Sequence, residues 1–409
     1  MIMKALTKIS LGFLSLAAVA LWFTSCSSED VASGTNQGRK SLLTLSINTG
    51  NVNNTRANDW IGSTTPTDED KIQSMTVGIF DGDNVKTIVE LPAGSGEGNK
   101  LESDGKKATI VTTSLKGTET VLVAVNAPKA TFQGVLTASA FKEKTVEADV
   151  ALCGGAVGDK QDVSKTPMFG SATLSKKAGT STPEFTAIVN VFHMLSKVHL
   201  QALNVQFNEN GAFKDASFTP TDIFMVNVPN DVKFNVTSDT DESAWTNTST
   251  FLHGWGNDDY TVANVSAAGM GDYKKYLTTG TLTPTELKGT SGSFGKEVYF
   301  YTLPNGKTDL ANRTKLVIAG TFKNNDSDPG TKVYYPVPIN AKFEKSGDVK
   351  PAVDGTTVYA VYPNKVYNCT VNIKAKGVST PNESLEPQTA SVTVIVKPYT
   401  PADQTTNFE

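Results

Sequence analysis

Cysteine and histidine are nearly absent from this chain, three of each among 409 residues. That excludes a disulfide scaffold and zinc sites of the usual Cys/His kinds. Charge is scarce too: charged residues make up 19%, and Lys+Arg 37 against Asp+Glu 41 leave a formal net charge of -4. With no basic excess to neutralise a phosphate backbone, nucleic acid is excluded as a partner. No repeat of fixed period occurs, which excludes propellers and solenoids. What is present is 38% hydrophobic residues, divided into short runs by frequent Gly, Ser, Thr and Asn. That packaging belongs to β-rich extracellular proteins, and the length suggests two or three domains at ~150 residues each.

Residues 1–25 have the shape of an export signal, with Lys4 and Lys8, an apolar stretch over 11–23, then Thr24 and Ser25 before Cys26. The apolar run is short and ends at a processing-type site, which favours a cleaved signal over a membrane-spanning helix. Phe23-Thr24-Ser25-Cys26 resembles a bacterial lipobox, in which the Cys thiol is acylated before cleavage leaves it as the first residue. Ser27-Ser28-Glu29-Asp30 resembles the signal that sends lipoproteins to the surface of anaerobic Gram-negative gut and oral bacteria. Removing 1–56 takes away five basic and two acidic residues and leaves 32 against 39, a net of -7. Such a surface has no general attraction to anionic lipid, so the outer membrane would be reached through the lipid alone.

Patterns for catalysis are missing. The Gly-rich segment 153–160 has no Gly-Lys-Ser/Thr at phosphate-loop spacing and reads as a surface loop. No Gly-x-Ser-x-Gly elbow occurs, and His193, His199 and His253 stand in no catalytic motif. Asp81-Gly82-Asp83-Asn84 lacks calcium-loop register and reads as a hairpin turn; Asp68-Glu69-Asp70 reads as a solvated turn. Cys153 and Cys369, far apart in the chain, are expected as two buried thiols. The expectation is therefore no catalytic residue, no metal and no cofactor. Two other readings stay open: Trp255, Tyr260, Tyr273 and Tyr276 could stack on sugars in a surface glycan-binding lipoprotein, and folding could pair two carboxylates into a glycosidase.

Leu43, Leu45 and Ile47 alternate with Thr44, Ser46 and Asn48, which predicts a half-buried strand within 41–50. The polar loop after it carries Arg56 followed by Ala57, and one cut there separates the strand from its domain. Further strands are expected at 75–80, 109–111 and 121–125, then at 186–191 and 197–205, these two paired around 192–195. A helix is expected over 137–147, where Ala, Phe, Lys and Glu replace β-branched residues. A second series comprises 233–236, 298–303, 315–322, 332–339 and 366–373, and the dip in strand density at 206–222 marks a boundary. Strands alternating with Gly/Asn/Pro turns indicate an all-β chain of antiparallel sandwiches. Residues 377–388, with Pro381 and Pro387, are expected to be extended and mobile. They lead to a last strand in which Val392, Val394 and Val396 share a face before Pro398. Both ends thus carry a strand tethered by a loop.

With these parts in order the chain resembles the fimbrillins, the pilin family of type V fimbriae in anaerobic Gram-negative bacteria. The resemblance is carried by Cys26, the strand before Thr55-Arg56-Ala57, Lys71-Ile72 with Val77 and Ile79-Phe80, and residues 121–126. It continues through Thr166-Pro167-Met168-Phe169-Gly170, Val191-Phe192-His193-Met194 with Lys197-Val198, and Tyr299-Phe300 with Leu303-Pro304-Asn305. Asn364-Lys365-Val366-Tyr367 and the closing strand complete it; Tyr399 stands where relatives often have Trp.

The resemblance implies two transthyretin-like antiparallel β-sandwich domains, export as an outer-membrane lipoprotein acylated at Cys26, and cleavage after Arg56 by an arginine-specific protease. The implied organisation is a signal peptide at 1–25, a propeptide at 26–56, sandwiches at 57–205 and 206–376, and a linker with a polymerisation strand at 377–409. Leu43, Leu45 and Ile47 would fill a groove as a pro-strand, and Val392, Val394 and Val396 of another copy would replace them. The partners implied are copies of the chain and accessory fimbrial subunits in a cell-surface fimbrium. A leader together with a tail fits a shaft subunit better than a tip or anchor.

Overall fold

The alternation near the start of the chain becomes strand β1, Lys40–Asn48, with Leu43, Leu45 and Ile47 buried and Lys40, Ser46 and Asn48 exposed. The computed structural model describes residues 39–49, 69–96, 98–154, 160–180, 182–235, 245, 250–255, 272–343, 348–352, 355–384 and 390–398, the last nine as backbone only. Among these, strand dominates and helix is confined to short pieces, as the composition requires.

The first sheet takes β1 together with β2 (Ser74–Asp81), β3 (Asn84–Pro92), β4 (Lys107–Thr113), β5 (Thr120–Val125), β6 (Met168–Thr173) and β7 (Glu184–His193). Their order is β3-β2-β5-β6-β7-β1-β4, with the short strands Lys100–Leu101 beside β4 and Ser175–Lys176 beside β7. Asp81 and Asn84 pair across the expected hairpin, where Gly82 takes the left-handed conformation at φ +61° that glycine adopts without a Cβ clash. Leu43 and Leu45, Val77 and Ile79, Ile110, Val121 and Val123, and Phe185 and Val189 belong to one buried cluster. The sheet therefore curls around its own apolar face.

The opposite face of β2, β5 and β6 contributes Phe80, Leu122, Ala124 and Phe169 to a second core. Short helices α1 (Ala138–Lys142) and α2 (Ala148–Cys153) supply Phe141, Ala151 and Leu152 to it. The same core continues into β8 (Ser196–Val205), β9 (Ser217–Val226), β10 (Val298–Thr302), β11 (Lys315–Lys323), β12 (Thr331–Pro338) and β13 (Lys365–Ile373). These form two four-stranded sheets. One is β10-β8-β13-β14, where β14 is Ala390–Pro398; the other is Leu287–Lys288 with β9-β11-β12. Leu200, Phe300 and Val371 from one and Phe218, Ile318 and Tyr335 from the other share the core, the arrangement of a sandwich.

Four expectations are corrected. The helix over 137–147 stops at Glu143: Thr137 caps it by accepting from the Ala140 N–H at 3.0 Å, but Thr145–Glu147 pairs as a strand with Asp231–Lys233. The β-branched Thr145 and Val146 favour that pairing over a further helical turn. Residues 186–191 and 197–205 do not pair; β7 joins β1 and β6, while β8 joins β10 and β13. Met194 and Leu195, both fully buried, carry the chain from one sheet to the other. Residues 377–384 are docked rather than mobile, with Val378 and Tyr334 exchanging backbone hydrogen bonds at 2.9 and 3.0 Å. Three pairings, β1 with β7, β8 with β13 and the short Phe251–His253 with Asp272–Tyr273, are parallel, while the other described strand ladders are antiparallel.

Gly170 sits in β6 where a Cβ would lie 2.2 Å from the Asn190 carbonyl oxygen of β7. Gly170→Ala should therefore destabilise the protein by about 1–3 kcal/mol in urea unfolding, and an unchanged midpoint would show that β6 and β7 do not meet this closely.

Candidate functional site

β1 is an interior strand. It runs parallel to β7 from Leu42 opposite Glu184 to Asn48 opposite Asn190, and antiparallel to β4 from Lys40 opposite Thr113 to Ser46 opposite Lys107. Both edges of its backbone are thereby paired, each ladder bond contributing roughly 1 kcal/mol net. Leu43 and Leu45 are fully buried and Ile47 nearly so, adding about 2 kcal/mol each. Neither neighbour is close in sequence, so β1 occupies a slot assembled by other parts of the chain.

The slot has defined ends. At one, the buried Ser41 hydroxyl accepts from the Leu115 N–H at 3.3 Å, and the Ser114 N–H donates to the Arg39 carbonyl at 2.8 Å. The loop making these contacts is held by Glu119, whose side chain is fully buried. Burial alone would raise its pKa. The backbone N–H groups of Lys116 and Gly117, with Lys86 at 3.2 Å, overcome that and hold it at about 2. At the other end the Ile47 N–H donates to the Lys106 carbonyl at 2.8 Å, and the Asn48 amide donates to Asn190 Oδ1 at 3.0 Å.

Where the described chain resumes, Glu69 is buried rather than solvated, contrary to the turn reading. Lys197 Nζ at the start of β8 lies 3.0 Å from Glu69 Oε1, and the Tyr301 hydroxyl of β10 donates to the same oxygen. The Lys197 ammonium also sits over the rings of Tyr299 and Tyr301, at 5.3 and 5.2 Å. His193, at the end of β7, places Nε2 3.1 Å from Asp70 Oδ1 and 3.3 Å from the Glu69 carbonyl oxygen. Burial pushes His193 down to about 4, so its ring is neutral at pH 7. Covalently, β1 reaches the rest of the fold only through residues 49–69. A cut within that stretch leaves β1 held by non-covalent contacts, while Glu69 stays seated on β8 and β10.

The tail begins from a second anchor. The buried Lys315 ammonium donates to the Asn382 carbonyl at 2.9 Å and to its side-chain oxygen at 2.5 Å, and Asn227 Nδ2 donates to that side-chain oxygen at 3.2 Å. Burial pushes Lys315 down to about 7. β14 pairs antiparallel with β13, Val392 opposite Val371, Val394 opposite Cys369 and Val396 opposite Tyr367, and lies at the end of its sheet. Side chains over 390–398 lie outside the described residues, as do Cys26, Arg56, Ala57 and Tyr260.

Most of the other candidates are packed into the core. Trp255 is buried against Phe224 and Tyr334, and the buried Tyr276 hydroxyl donates to Asp149 at 2.6 Å; of the described aromatics in that group only Tyr273 is exposed. His199 stacks on Tyr299 and bonds Asn368 and Glu297, and His253 is buried beside Trp255. Cys153 and Cys369 are buried thiols, and burial pushes Cys369 up to about 12. The contacts of Glu69 with Lys197 and Tyr301 and the burial of Glu119 escaped the sequence reading; a Glu in a polar run carries no local sign of burial. Among the described residues no helix is long and apolar enough to cross a membrane, and no group of three His, Cys, Asp or Glu side chains is placed to hold a metal ion.

No protein-family model matches the chain, and no curated protein matches it. Solved structures do. A proposed cell adhesion protein of Bacteroides eggerthii aligns at 18% identity with a TM-score of 0.58, covering 89% of this chain and 98% of its own. Another, from Parabacteroides distasonis, aligns at 16% with a TM-score of 0.57, covering 88% and 99%. A fimbrilin of Porphyromonas gingivalis aligns at 15% with a TM-score of 0.56, covering 89% and 98%. The chain has the fimbrillin-type β-sandwich fold.

Two outcomes follow from the slot and the seat. Leu45→Ala should lower the unfolding free energy of the full chain by about 2–4 kcal/mol in urea; a surface-like change below about 0.5 kcal/mol would mean that β1 is not part of the cooperative core. His193 has its pKa depressed on folding, so its contribution is present above about 6.5 and is lost as pH falls toward 4. The unfolding free energy from urea titrations should fall over that window, by up to about 3 kcal/mol, and His193→Gln should flatten the slope.

Proposed function

We propose that this protein is a structural shaft subunit of a cell-surface adhesive fimbria, made as a lipoprotein precursor and polymerised by strand exchange. The observation that carries the reading is β1: an interior strand with a buried Leu43, Leu45 and Ile47, joined to the body by one stretch of chain that contains Arg56. The shared fold with a fimbrilin is in keeping with it. In this reading the role is mechanical: the chain joins subunits rather than transforming a substrate.

In this reading Cys26 is acylated and tethers the precursor to the outer membrane. While β1 fills its slot, neither β7 nor β4 has an open edge there, and the precursor stays monomeric. An arginine-specific protease cuts between Arg56 and Ala57, which frees the lipid-bearing leader to depart. The slot then presents two unpaired backbone edges and an apolar row, and the tail of another copy, or of an accessory subunit, adds itself as the missing strand. Val392, Val394 and Val396 contribute about 1.5–2 kcal/mol each on burial, with roughly 1 kcal/mol per ladder bond. Donor and acceptor surfaces differ, so the contact is heterologous and extends an open filament.

Limited digestion of the full chain with a trypsin-like protease should start the product at Ala57 and give a ladder on unheated gels. Deleting 390–409 should leave a folded monomer that extends no chain. Cleaved wild-type protein that stays monomeric, or normal polymers from the deletion, would overturn the proposal.

A further inference from the structure

The exposed apolar side chain beside the slot points to the direction and register of the incoming strand. Ile188 of β7 is 72% exposed, a large aliphatic group on the outer face of the first sheet. Its partner across the pair with β1 is Ser46, and Ser46 in turn faces Lys107 of β4. The leader thus leaves Ile188 without an apolar cross-strand neighbour on that side.

We propose, resting on the strand-exchange reading above, that the tail of a second copy enters the slot in the same chain direction as the leader, with Ala390 at the place of Ser41 and Ile395 at the place of Ser46. Three features of the slot select this alignment. First, Ser41 is a small residue that the structure buries at the closed end, and Ala390 is the small residue two before Val392, as Ser41 is two before Leu43. Val392, Val394 and Val396 then take the places of Leu43, Leu45 and Ile47, and Thr393 takes that of Thr44 between Thr186 and Thr109. Second, Pro398 falls one position beyond Asn48, the last paired residue, where no ladder N–H is required.

Third, Ile395 interrupts the polar outer row of the tail and falls opposite Ile188. A chain entering in the opposite direction could keep its three valines in the buried row. It would then put the Pro398 ring in the small closed end beside Leu115 and place Thr393, not Ile395, opposite Ile188. Cross-strand aliphatic pairs stabilise a sheet, so Ile395 gives the incoming strand a contact that the departing one lacks. The exchange loses volume at the buried row, where two Leu and one Ile become Val, and recovers apolar contact on the outside.

Paired cysteines test this on the full chain cleaved after Arg56. Ile188→Cys with Ile395→Cys should give, under mild oxidation, a covalent ladder on boiled non-reducing gels, because directly paired strand positions lie within disulfide reach. Ile188→Cys with Thr393→Cys, or Ile188→Cys alone, should not. A ladder from the Thr393 pair, or polymers on unheated gels with no cross-link from either pair, would overturn the direction and register while leaving strand exchange standing. Monomeric cleaved wild-type protein would remove strand exchange and this inference with it. Independently, Ile188→Asp should leave precursor melting unchanged and speed dissociation of assembled polymer roughly three- to tenfold. An unaltered dissociation rate would count against the contact.

Discussion

Two strand edges, those of β7 and β4, face one another across the width of a single strand, and β1 keeps the backbone groups of both paired. Without it the first sheet would end at β7 on one side and restart at β4 on the other. The apolar row of the curled sheet would open to water at the same place, since Leu43, Leu45 and Ile47 are members of its core. Unpaired edges next to exposed apolar surface are the usual template for chain-to-chain pairing. The closed state of this protein therefore depends on a strand that the chain order places outside the body it completes.

Holding such a strand firmly is compatible with its proposed departure because the tether and the contacts do different work. As long as residues 49–69 are intact, β1 that opens transiently remains at high effective concentration beside its slot and returns. A severed leader has no such advantage, and in the proposed exchange the tail of another copy competes with it for the slot. The anchors on either side fit that division. Glu69, seated by Lys197 and Tyr301, keeps the body end of the tether in place, and Asn382, held by Lys315, fixes the root of the tail. The proposed exchange would then involve only the two terminal strands and leave the sandwich behind them in place.

Much of this was readable from residue order. The alternation of Leu43, Leu45 and Ile47, the Asp81–Asn84 hairpin, the run of short strands and the pair of buried thiols all follow from local periodicity and turn chemistry. Strand pairing was less accessible. Residues 186–191 and 197–205 looked like a hairpin because they are adjacent, yet the buried Met194 and Leu195 turn the chain into a different sheet. Val378 and Asn382 sit in a stretch with the composition of a free linker, and their partners Tyr334 and Lys315 are distant in sequence.

Sequence by itself determined the faces of the strands, because side chains alternate with a period of two whatever the neighbours, and it determined that β1 hangs on one polar stretch holding Arg56. Tertiary structure decided that β1 is interior, parallel to β7 and antiparallel to β4, that Glu69 is buried, and that Ile188 stands exposed opposite Ser46. Those are contacts between residues far apart along the chain. No local propensity encodes them, since each depends on which distant strand wins the competition for an edge.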